Sequence, residues 1–402
     1  MTHHTPVRHT PVRERSVDRA PARYPWSLVV ALFVVVTAGL TSVVAAVDAV
    51  RPSAGGTGQT WIDGWFQFDS GWYAGIAQFG YSYTPGQQSA IAFFPVYPLL
   101  VRAVAAVVGD VQLAGQLVAL LSGLAAVVLV GSWAWRRLPR RSALLTIAVA
   151  LTYPYTLFLH GTMYADGLYL LLAVGAFVLV DRRWYLAAGV VGALAAASRP
   201  FGIAVAVGLV VRILELLAQE TGRTGWRDLV ASVRRVRFRH AGVLVSFAGL
   251  LAWMAYLGAE FGNPLAFVET ESSPGWNQGV GPRTWFKVAY LGLVHHGRWS
   301  LVANLTLQAL ACLVVVLLVR RITRLFGWGY AAYTVVVIAI PILGTKDFMG
   351  AGRYALAAFP ALAAGGDWLA ERPRWVAVVT LTAMTAAMVV LTWYFANGVE
   401  VS

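Results

Sequence analysis

Long apolar stretches separated by short polar or basic segments run along the chain from residue 27 to residue 395. About eleven of these stretches approach the ~20 residues that a helix needs to cross the hydrocarbon core of a bilayer. They cover residues 27–48, 113–135, 142–159, 164–180, 184–197, 201–218, 241–260, 300–319, 326–343, 355–370 and 375–395. The pattern predicts an all-α polytopic membrane protein. We expect one transmembrane domain over residues 26–396, a disordered basic tail at 1–25 and a short tail at 397–402.

The composition supports a membrane protein and excludes a soluble enzyme. Hydrophobic residues make up 58% of the chain and charged residues only 12%, about half the charged fraction of a typical soluble domain. The formal net charge of +13 would suggest nucleic acid as the partner of a soluble protein. Here 22 of the 31 Lys and Arg residues fall in the N-terminal tail and in every second loop between the apolar stretches. Loops rich in Lys and Arg lie on the cytoplasmic side of a membrane. We therefore expect a plasma-membrane protein with a cytoplasmic N-terminus and no nucleic acid partner.

Two of the predicted extracytoplasmic loops, residues 49–112 and 261–299, are much longer than a connection between helices requires. Long loops in compact proteins are usually functional or disordered. The first is rich in aromatic residues, which settle at membrane interfaces. Five of its apolar residues recur at steps of three and four and so form a stripe along one side of a helix. This stripe predicts one helix that lies along the membrane surface. A second interfacial helix is expected after Pro98, beyond a turn at residues 84–86. The residues of the stripe are Trp65, Phe68, Trp72, Ile76 and Phe79.

Four acidic residues at the outer side have different expected roles. Asp69 lies among aromatic residues near lipid, where a carboxylate is costly without partners, so it is a functional candidate. Asp63 is interpreted as a helix-surface acid that faces water, and Asp110 is expected to cap the helix of the second span. Asp166, at the outer end of the fourth span, either caps its helix or belongs to a functional site.

Two arginines, Arg199 and Arg353, lie at outer helix ends opposite the loop that holds Asp69. Guanidinium groups in such positions bind a carboxylate or a phosphate, and the alternative is contact with lipid headgroups. The only outer histidine pair, 295–296, has no carboxylate nearby in sequence, and the single cysteine lies in an apolar run. We therefore expect no metal site and no cofactor.

The outer segments contain a series of motifs that resembles a known family. Residues 68–73 read Phe-Asp-Ser-Gly-Trp-Tyr, and residues 92–100 read Ala-Phe-Phe-Pro-Val-Tyr-Pro-Leu-Leu. Together they resemble the first-loop signature of the PIG-V-type mannosyltransferases, the family of the transferase that adds the second mannose to glycosylphosphatidylinositol, which has bacterial members. Further matches are Asp-Gly-Leu-Tyr-Leu at 166–170, Ser-Arg-Pro at 198–200, Gly-Asn-Pro-Leu at 262–265, Arg-Tyr at 353–354 and Phe-Pro at 359–360. Asp166 stands where the family pattern has glutamate.

The resemblance implies a glycosyltransferase of the C superfamily with its active site on the extracytoplasmic face. Such an enzyme takes a sugar, here mannose, from a polyprenyl-phosphate-linked donor. It transfers the sugar by inversion to a lipid, glycolipid or glycan acceptor, which yields an α-mannoside. The acidic residue of the first-loop motif, Asp69, matches the catalytic base of the family.

The remaining site residues follow from this reaction. Arg199 and Arg353 are expected to bind the donor phosphate, with Lys346 and Arg298 as further candidates. The other expected substrate-binding residues are Asp166, Tyr73, Tyr97, Glu269, Trp276 and Asn277.

The alternative function is a transporter or flippase of a lipid-linked substrate. Transporters of this kind commonly contain repeated halves and charged residues at the membrane midplane. The chain has no matching halves, and its unusual charges lie at the outer edge. These features favour the enzyme, and they leave the acceptor and the oligomeric state open.

Overall fold

The computed structural model describes residues 23–52, 57–222 and 225–402, and over these ranges the secondary structure is helical, without strands. The predicted tail at residues 1–25 lies outside the described residues except for its last three. The bundle is therefore built entirely by helix packing over the described part of the chain.

The helices are numbered in chain order. The first nine are α1 (Trp26–Val50), α2 (Thr60–Asp63), α3 (Asp69–Phe79), α4 (Val96–Val108), α5 (Val111–Trp135), α6 (Arg140–Thr152), α7 (Asp166–Asp181), α8 (Tyr185–Ala196) and α9 (Ile203–Gln219). The others are α10 (Trp226–Ser232), α11 (Ala248–Phe261), α12 (Ala266–Ser272), α13 (Pro282–Trp285), α14 (Val288–His295), α15 (Trp299–Phe326), α16 (Trp328–Gly344), α17 (Ala351–Ala357), α18 (Phe359–Ala370) and α19 (Arg374–Ala396). Short 3-10 helices cover Ala90–Ala92, Pro154–Leu159, Pro200–Gly202, Val233–Arg235 and Phe238–Phe247.

Among the described residues, six helical segments are long and apolar enough to cross a membrane. This is the architecture of a multi-pass membrane protein. The remaining apolar stretches of the sequence also form helices, but these are shorter, so the number of about eleven spans stays a prediction. The six segments are Trp26–Val50, Val111–Trp135, Pro200–Gln219, Phe238–Phe261, Trp299–Phe326 and Arg374–Ala396.

The helices differ in how much of their surface is buried by neighbours. α5, α7 and α9 contribute much of the largest core cluster, together with α16 and α18. In contrast, α1, α15 and α19 keep large exposed apolar side chains, such as Val35, Leu317 and Val378. An exposed apolar face of this size is typical of a surface that contacts lipid.

The first long loop does not form the single helix that its apolar stripe predicts. The helix α3 begins only at Asp69, because Phe68 has a positive φ of 49° that no helix allows. Trp65 precedes this break and is buried against Phe395, whereas Phe79 is exposed. The prediction of one helical face from Trp65 to Phe79 is therefore wrong at its start. The turn at residues 84–86 is confirmed, and the second helix forms as α4, which begins at Val96 instead of after Pro98.

Two acids of this loop have structural roles. The carboxylate of Asp110 accepts a hydrogen bond from the backbone N–H of Leu113 at 2.6 Å, which confirms it as the cap of α5. Asp63 is buried, and it accepts hydrogen bonds from Thr57, Gly58 and Gln112. The interpretation of Asp63 as a carboxylate that faces water is wrong, because several donors of the loop replace its hydration.

Close packing of α7 against α5 depends on a glycine directly after Asp166. A Cβ atom at Gly167 would lie 2.8 Å from the backbone nitrogen of Gly123 and 2.9 Å from the carbonyl oxygen of Ala119. Both neighbours are backbone atoms of α5, so they cannot move aside as a flexible side chain would. The outer end of α7, where Asp166 lies, is therefore held at a fixed distance from α5.

We expect Gly167→Ala to lower the free energy of unfolding by about 1–3 kcal/mol, since an added methyl group in a packed interface forces the helices apart. Gly75→Ala is the matched control, because a Cβ at Gly75 meets nothing within 4 Å. Alanine there is expected to stabilise α3 by about 0.5–1 kcal/mol. Denaturant unfolding in mixed micelles, followed by tryptophan fluorescence, measures both variants. Equal effects of the two substitutions would contradict the packing described for α7.

Candidate active site

Asp69 begins α3 at a strained point of the backbone. The preceding residue, Phe68, has φ 49°, and its ring packs against Phe395 with centroids 5.6 Å apart. The backbone N–H of Asp69 donates a hydrogen bond to the hydroxyl oxygen of Tyr164 at 3.2 Å. A positive φ at a non-glycine residue persists only where surrounding contacts hold it. Packing of Phe68 and the contact with Tyr164 therefore fix the direction in which the Asp69 side chain points.

Asp166 lies in the first turn of α7, and its carboxylate is paired with two guanidinium groups. Arg353 of α17 contacts it with two nitrogens, Nε at 3.3 Å from Oδ1 and Nη2 at 3.0 Å from Oδ2. The Nη1 atom of Arg199 lies 2.5 Å from Oδ2. These three residues are buried, with 4%, 6% and 9% of Asp166, Arg353 and Arg199 exposed. Asp166 is not the N-cap residue, which is Ala165, but it is a first-turn carboxylate of α7 and is at the same time paired with both arginines.

Arg353 also joins this buried pair to Asp69. Its Nη1 atom donates a hydrogen bond to Oδ2 of Asp69 at 3.0 Å. The guanidinium carbon lies 4.5 Å from the ring centroid of Tyr164 and 4.9 Å from that of Phe158. Rings at these distances attract a cation and fix its plane. Arg353 is thus held by two carboxylates and two aromatic rings. We name the group of Asp69, Asp166, Arg199 and Arg353 the charge cluster.

A cavity of about 170 Å³ is lined by three members of the charge cluster: Asp69, Arg199 and Arg353. Asp69 is the most accessible member of the cluster, with 31% of the side chain exposed. Its Oδ2 atom is engaged by Arg353, and among the described residues no hydrogen bond reaches Oδ1. The other lining residues come from the first loop, the segment between α8 and α9, the second loop, residues 345–354 and the C-terminal end: Tyr73, Ala92, Phe93, Phe94, Ser198, Pro200, Glu271, Trp276, Gln278, Thr345, Met349, Gly350, Tyr354, Glu400 and Ser402.

The second long loop is fastened over this cavity by contacts with the segment that follows α16. Lys346 Nζ donates to the carbonyl oxygen of Gly275 at 2.7 Å. Lys287 Nζ donates to the carbonyl oxygen of Thr345 at 2.6 Å. Trp276, one residue after Gly275, packs edge-on against Trp72 of the first loop at 6.0 Å. The two long loops therefore meet at the cavity.

The expected site residues are divided by the structure into two groups. Tyr73 and Trp276 line the cavity with the charge cluster. Tyr97 is buried behind it, and its hydroxyl donates to the carbonyl oxygen of Gly115 at 2.7 Å. Lys346 is engaged with Gly275, and Arg298 is exposed and is not among the lining residues.

Two expected acceptor-binding residues, Glu269 and Asn277, lie outside the cavity lining. Glu269 is exposed and accepts a hydrogen bond from the Tyr83 hydroxyl at 2.7 Å. Instead, Glu271 reaches the cavity from the same helix, α12. No pattern in the sequence favours one glutamate over the other, because a seven-residue helix has no resolvable apolar face.

Glu271 is half-buried on the cavity wall opposite a second carboxylate. Burial, and then the charge of Asp69, raise the pKa of Glu271 to about 7, while Arg199 opposes this rise. The C-terminal Glu400 and Ser402 also line the cavity, and Gln308 donates to the carbonyl oxygen of Val401 at 3.1 Å. The segment predicted as a short tail thus contributes to the site.

The described residues contain no group of three or more His, Cys, Asp or Glu side chains that could hold a metal ion. What the cavity offers instead is a partly exposed carboxylate beside two guanidinium groups. A carboxylate can take a proton from a hydroxyl group, and guanidinium groups bind phosphate.

The fold is shared with a solved structure that carries a lipid phosphate. The structure of ArnT from Cupriavidus metallidurans bound to undecaprenyl phosphate superimposes with a TM-score of 0.50 at 17% sequence identity, covering 89% of this chain and 63% of ArnT. The chain thus shares the fold of ArnT. It spans less than two thirds of the length of ArnT.

A second structure is more distant. The archaeal oligosaccharyltransferase AglB from Archaeoglobus fulgidus, in complex with an inhibitory peptide and a dolichol-phosphate, has a TM-score of 0.45 and 11% identity over 92% of this chain and 56% of AglB. No family model and no curated protein matches the sequence.

We expect Asp166→Asn to destabilise the protein by about 3–5 kcal/mol, because removal of the buried carboxylate leaves Arg199 without a counter-charge and Arg353 with Asp69 alone. Glu220→Gln is the control. It removes a carboxylate from an exposed ion pair with Arg183, which is expected to cost about 0–1 kcal/mol. Unfolding in mixed micelles measures both. If Asp166→Asn were as stable as Glu220→Gln, the buried pairs would not hold the charge cluster together.

Proposed function

We propose that the chain is a membrane glycosyltransferase of the PIG-V type. It moves mannose from polyprenyl-phosphate-mannose to a lipid, glycolipid or glycan acceptor on the extracytoplasmic face of the plasma membrane. The proposal includes a topology of about eleven spans with both long loops outside. The observation that carries it is the cavity in which the accessible carboxylate of Asp69 lies beside the guanidinium groups of Arg199 and Arg353.

Asp69 acts as the base in this mechanism. Transfer requires that a hydroxyl group of the acceptor lose its proton as it attacks the anomeric carbon of the donor sugar. Oδ1 of Asp69 is the oxygen that receives the proton, since Oδ2 already accepts a hydrogen bond from Arg353. Asp69 lines the cavity, and the contact with Arg353 holds its carboxylate there by Oδ2. Arg353 is thus a positioning residue for Asp69.

Arg199 is the better candidate for the donor phosphate. Arg353 directs Nε and Nη2 to Asp166 and Nη1 to Asp69, whereas only Nη1 of Arg199 contacts a carboxylate. The other nitrogens of Arg199 can therefore donate to phosphate oxygens. As the bond between the sugar and the phosphate breaks, negative charge grows on the leaving group, and a guanidinium beside it stabilises that charge.

A single displacement gives an inverted product. The acceptor oxygen attacks from the face opposite the phosphate, the carbon–oxygen bond to phosphate breaks, and the proton passes to Asp69. From a β-linked mannosyl phosphate, the products are an α-mannoside and the polyprenyl phosphate. Deprotonation by Asp69 and charge stabilisation by Arg199 supply this chemistry from the chain's own residues.

Mannosyl transfer by the purified protein in nanodiscs tests the function and the base together. We expect wild type to transfer radiolabelled mannose from polyprenyl-phosphate-mannose to a mannolipid, with a product that α-mannosidase cleaves. Asp69→Asn is expected to lower the rate by about 10²–10⁴-fold, the usual contribution of a general base. Asp110→Asn, in the same loop, is expected to retain the rate because asparagine caps a helix as well as aspartate does.

Four outcomes would count against parts of this proposal. Equal rates for wild type and a folded Asp69→Asn variant would exclude Asp69 as the base. If the protein transferred sugar only from a donor that carries glucose or a pentose, mannose would be excluded as the transferred sugar. A product resistant to α-mannosidase but open to β-mannosidase would exclude inversion. If the lipid-linked sugar crossed the membrane of vesicles and no sugar were transferred, the alternative function as a flippase would be favoured.

Binding of polyprenyl phosphate without a sugar tests the phosphate site separately. We expect Arg199→Gln to weaken this binding by about tenfold or more, since a hydrogen bond to a charged group contributes about 1.5–3 kcal/mol. Arg283→Gln, an exposed arginine of the second loop, serves as the control and is expected to bind as wild type does. Titration in nanodiscs at fixed ionic strength gives the two Kd values, and equal values would place the phosphate away from Arg199.

A further inference from the structure

The cavity holds one carboxyl group that the mechanism above does not use. Glu271 lines it from α12, on the loop that crosses over the charge cluster. The backbone around Glu271 is fixed, because its carbonyl oxygen accepts a hydrogen bond from the N–H of Gln278 at 2.8 Å and the following Gly275 is held by Lys346. A side chain on such a braced segment keeps its position in the cavity.

The charge balance of the cavity determines what Glu271 can bind. In the charge cluster, two carboxylates are matched by two guanidinium groups. Glu271 therefore adds a carboxyl group that lacks a guanidinium of its own. An ionised carboxylate there repels both Asp69 and a phosphate held by Arg199. A carboxyl group in this position is unsuited to the donor phosphate and well suited to the neutral hydroxyl groups of a sugar.

The surroundings of Glu271 also match a sugar ring. Trp276 follows it on the same loop and lies edge-on to Trp72 and Phe93, with centroids 6.0 Å away in each case. Aromatic faces and a carboxyl group together form a site with an apolar wall and a hydrogen-bonding group, which is the pattern of small-molecule pockets.

We propose that Glu271 is an acceptor-binding residue: its carboxyl group hydrogen-bonds a hydroxyl group of a neutral glycolipid acceptor and holds that acceptor against Asp69. This inference rests on the proposed function for the identity of the reaction. Binding of a polyol beside Asp69, however, can be measured without any transfer.

The position of Glu271 also makes the site sensitive to pH. Its pKa of about 7 means that the neutral form predominates below pH 7 and the ionised form above it. The other titratable groups that line its cavity are Asp69 and Tyr73 of α3, Arg353 and Tyr354 of α17, Arg199 and Glu400. A phosphate at Arg199 adds negative charge and favours the neutral form further. Ionisation of Glu271 above pH 7 therefore weakens the binding of a lipid phosphate.

The experiment uses the full chain in nanodiscs, with octyl α-mannoside as the acceptor probe and polyprenyl phosphate as the donor probe. At pH 6, Glu271→Ala is expected to weaken octyl α-mannoside binding by about five- to tenfold, the effect of one lost hydrogen bond. The Kd of the Glu271→Ala variant for polyprenyl phosphate at pH 6 is expected to differ from that of wild type by less than about twofold. Glu271→Gln keeps a neutral hydrogen-bonding group of similar size, and it is expected to bind the mannoside within about twofold of wild type.

Between pH 6 and pH 8, the Kd of wild type for polyprenyl phosphate is expected to rise relative to that of Glu271→Gln. The ligand's own ionisation affects both proteins equally and cancels in the ratio. Glu260→Gln, an exposed glutamate at the end of α11, is the matched substitution and is expected to follow wild type. The Glu271→Gln profile keeps the proposal testable if Glu271→Ala does not fold.

Three results would overturn the proposal. The first is mannoside binding by folded Glu271→Ala within twofold of wild type. The second is a loss of mannoside binding in Glu269→Gln but not in Glu271→Ala. The third concerns the Kd for polyprenyl phosphate, taken as the ratio of wild type to variant. The proposal fails if this ratio stays constant with pH for Glu271→Gln, or if it changes with pH only for Glu400→Gln. Absence of sugar transfer by wild type, with the binding effects present, would contradict the proposed reaction and leave the polyol site standing.

Discussion

The pairing of Asp166 with Arg199 and Arg353 is the interaction on which the arrangement of the outer half of the protein depends. Each of these groups is buried, and each would be strongly destabilising alone, because desolvation of an unpaired charge costs several kcal/mol or more. They come from α7, from the segment before α9 and from α17. The three segments must therefore converge for any of the charges to be tolerated. Asp69 joins through Arg353 and is the member that remains accessible.

The helix α7 shows how this outer arrangement is coupled to the rest of the bundle. It carries an acid at each end, Asp166 and Asp181, and its 16 residues separate them by about 22 Å. At the opposite end Asp181 is paired with Arg137 and with Arg212, the latter at 2.7 Å. Gly167 sets the distance of α7 from α5. Ion pairs at both ends and close packing between them leave α7 little freedom to slide, which keeps Asp166 in register with its arginines.

The two long loops complete the site in different ways. The first supplies Asp69 from a helix whose start is fixed by the positive φ of Phe68. The second supplies Glu271 and Trp276 and is tied down by Lys287 and Lys346. Lys346, expected at the phosphate, thus has a structural contact. An ammonium group can neutralise a phosphate or bind carbonyl oxygens equally well, and its partner depends on which backbone lies within reach.

The sequence by itself determined the multi-pass membrane architecture, and it singled out Asp69 and the two arginines that the structure places beside one another. Apolar length, loop charge and local capping, as at Asp110, depend on residues close together in the chain, and the motif at 68–73 is equally local. Only the tertiary structure decided the partners of Asp166, the burial of Asp63 and the choice between Glu269 and Glu271. These depend on contacts between residues far apart in sequence, such as Arg353 and Asp69, 284 positions apart. A pattern of neighbouring residues carries no information about which distant charge will lie beside them.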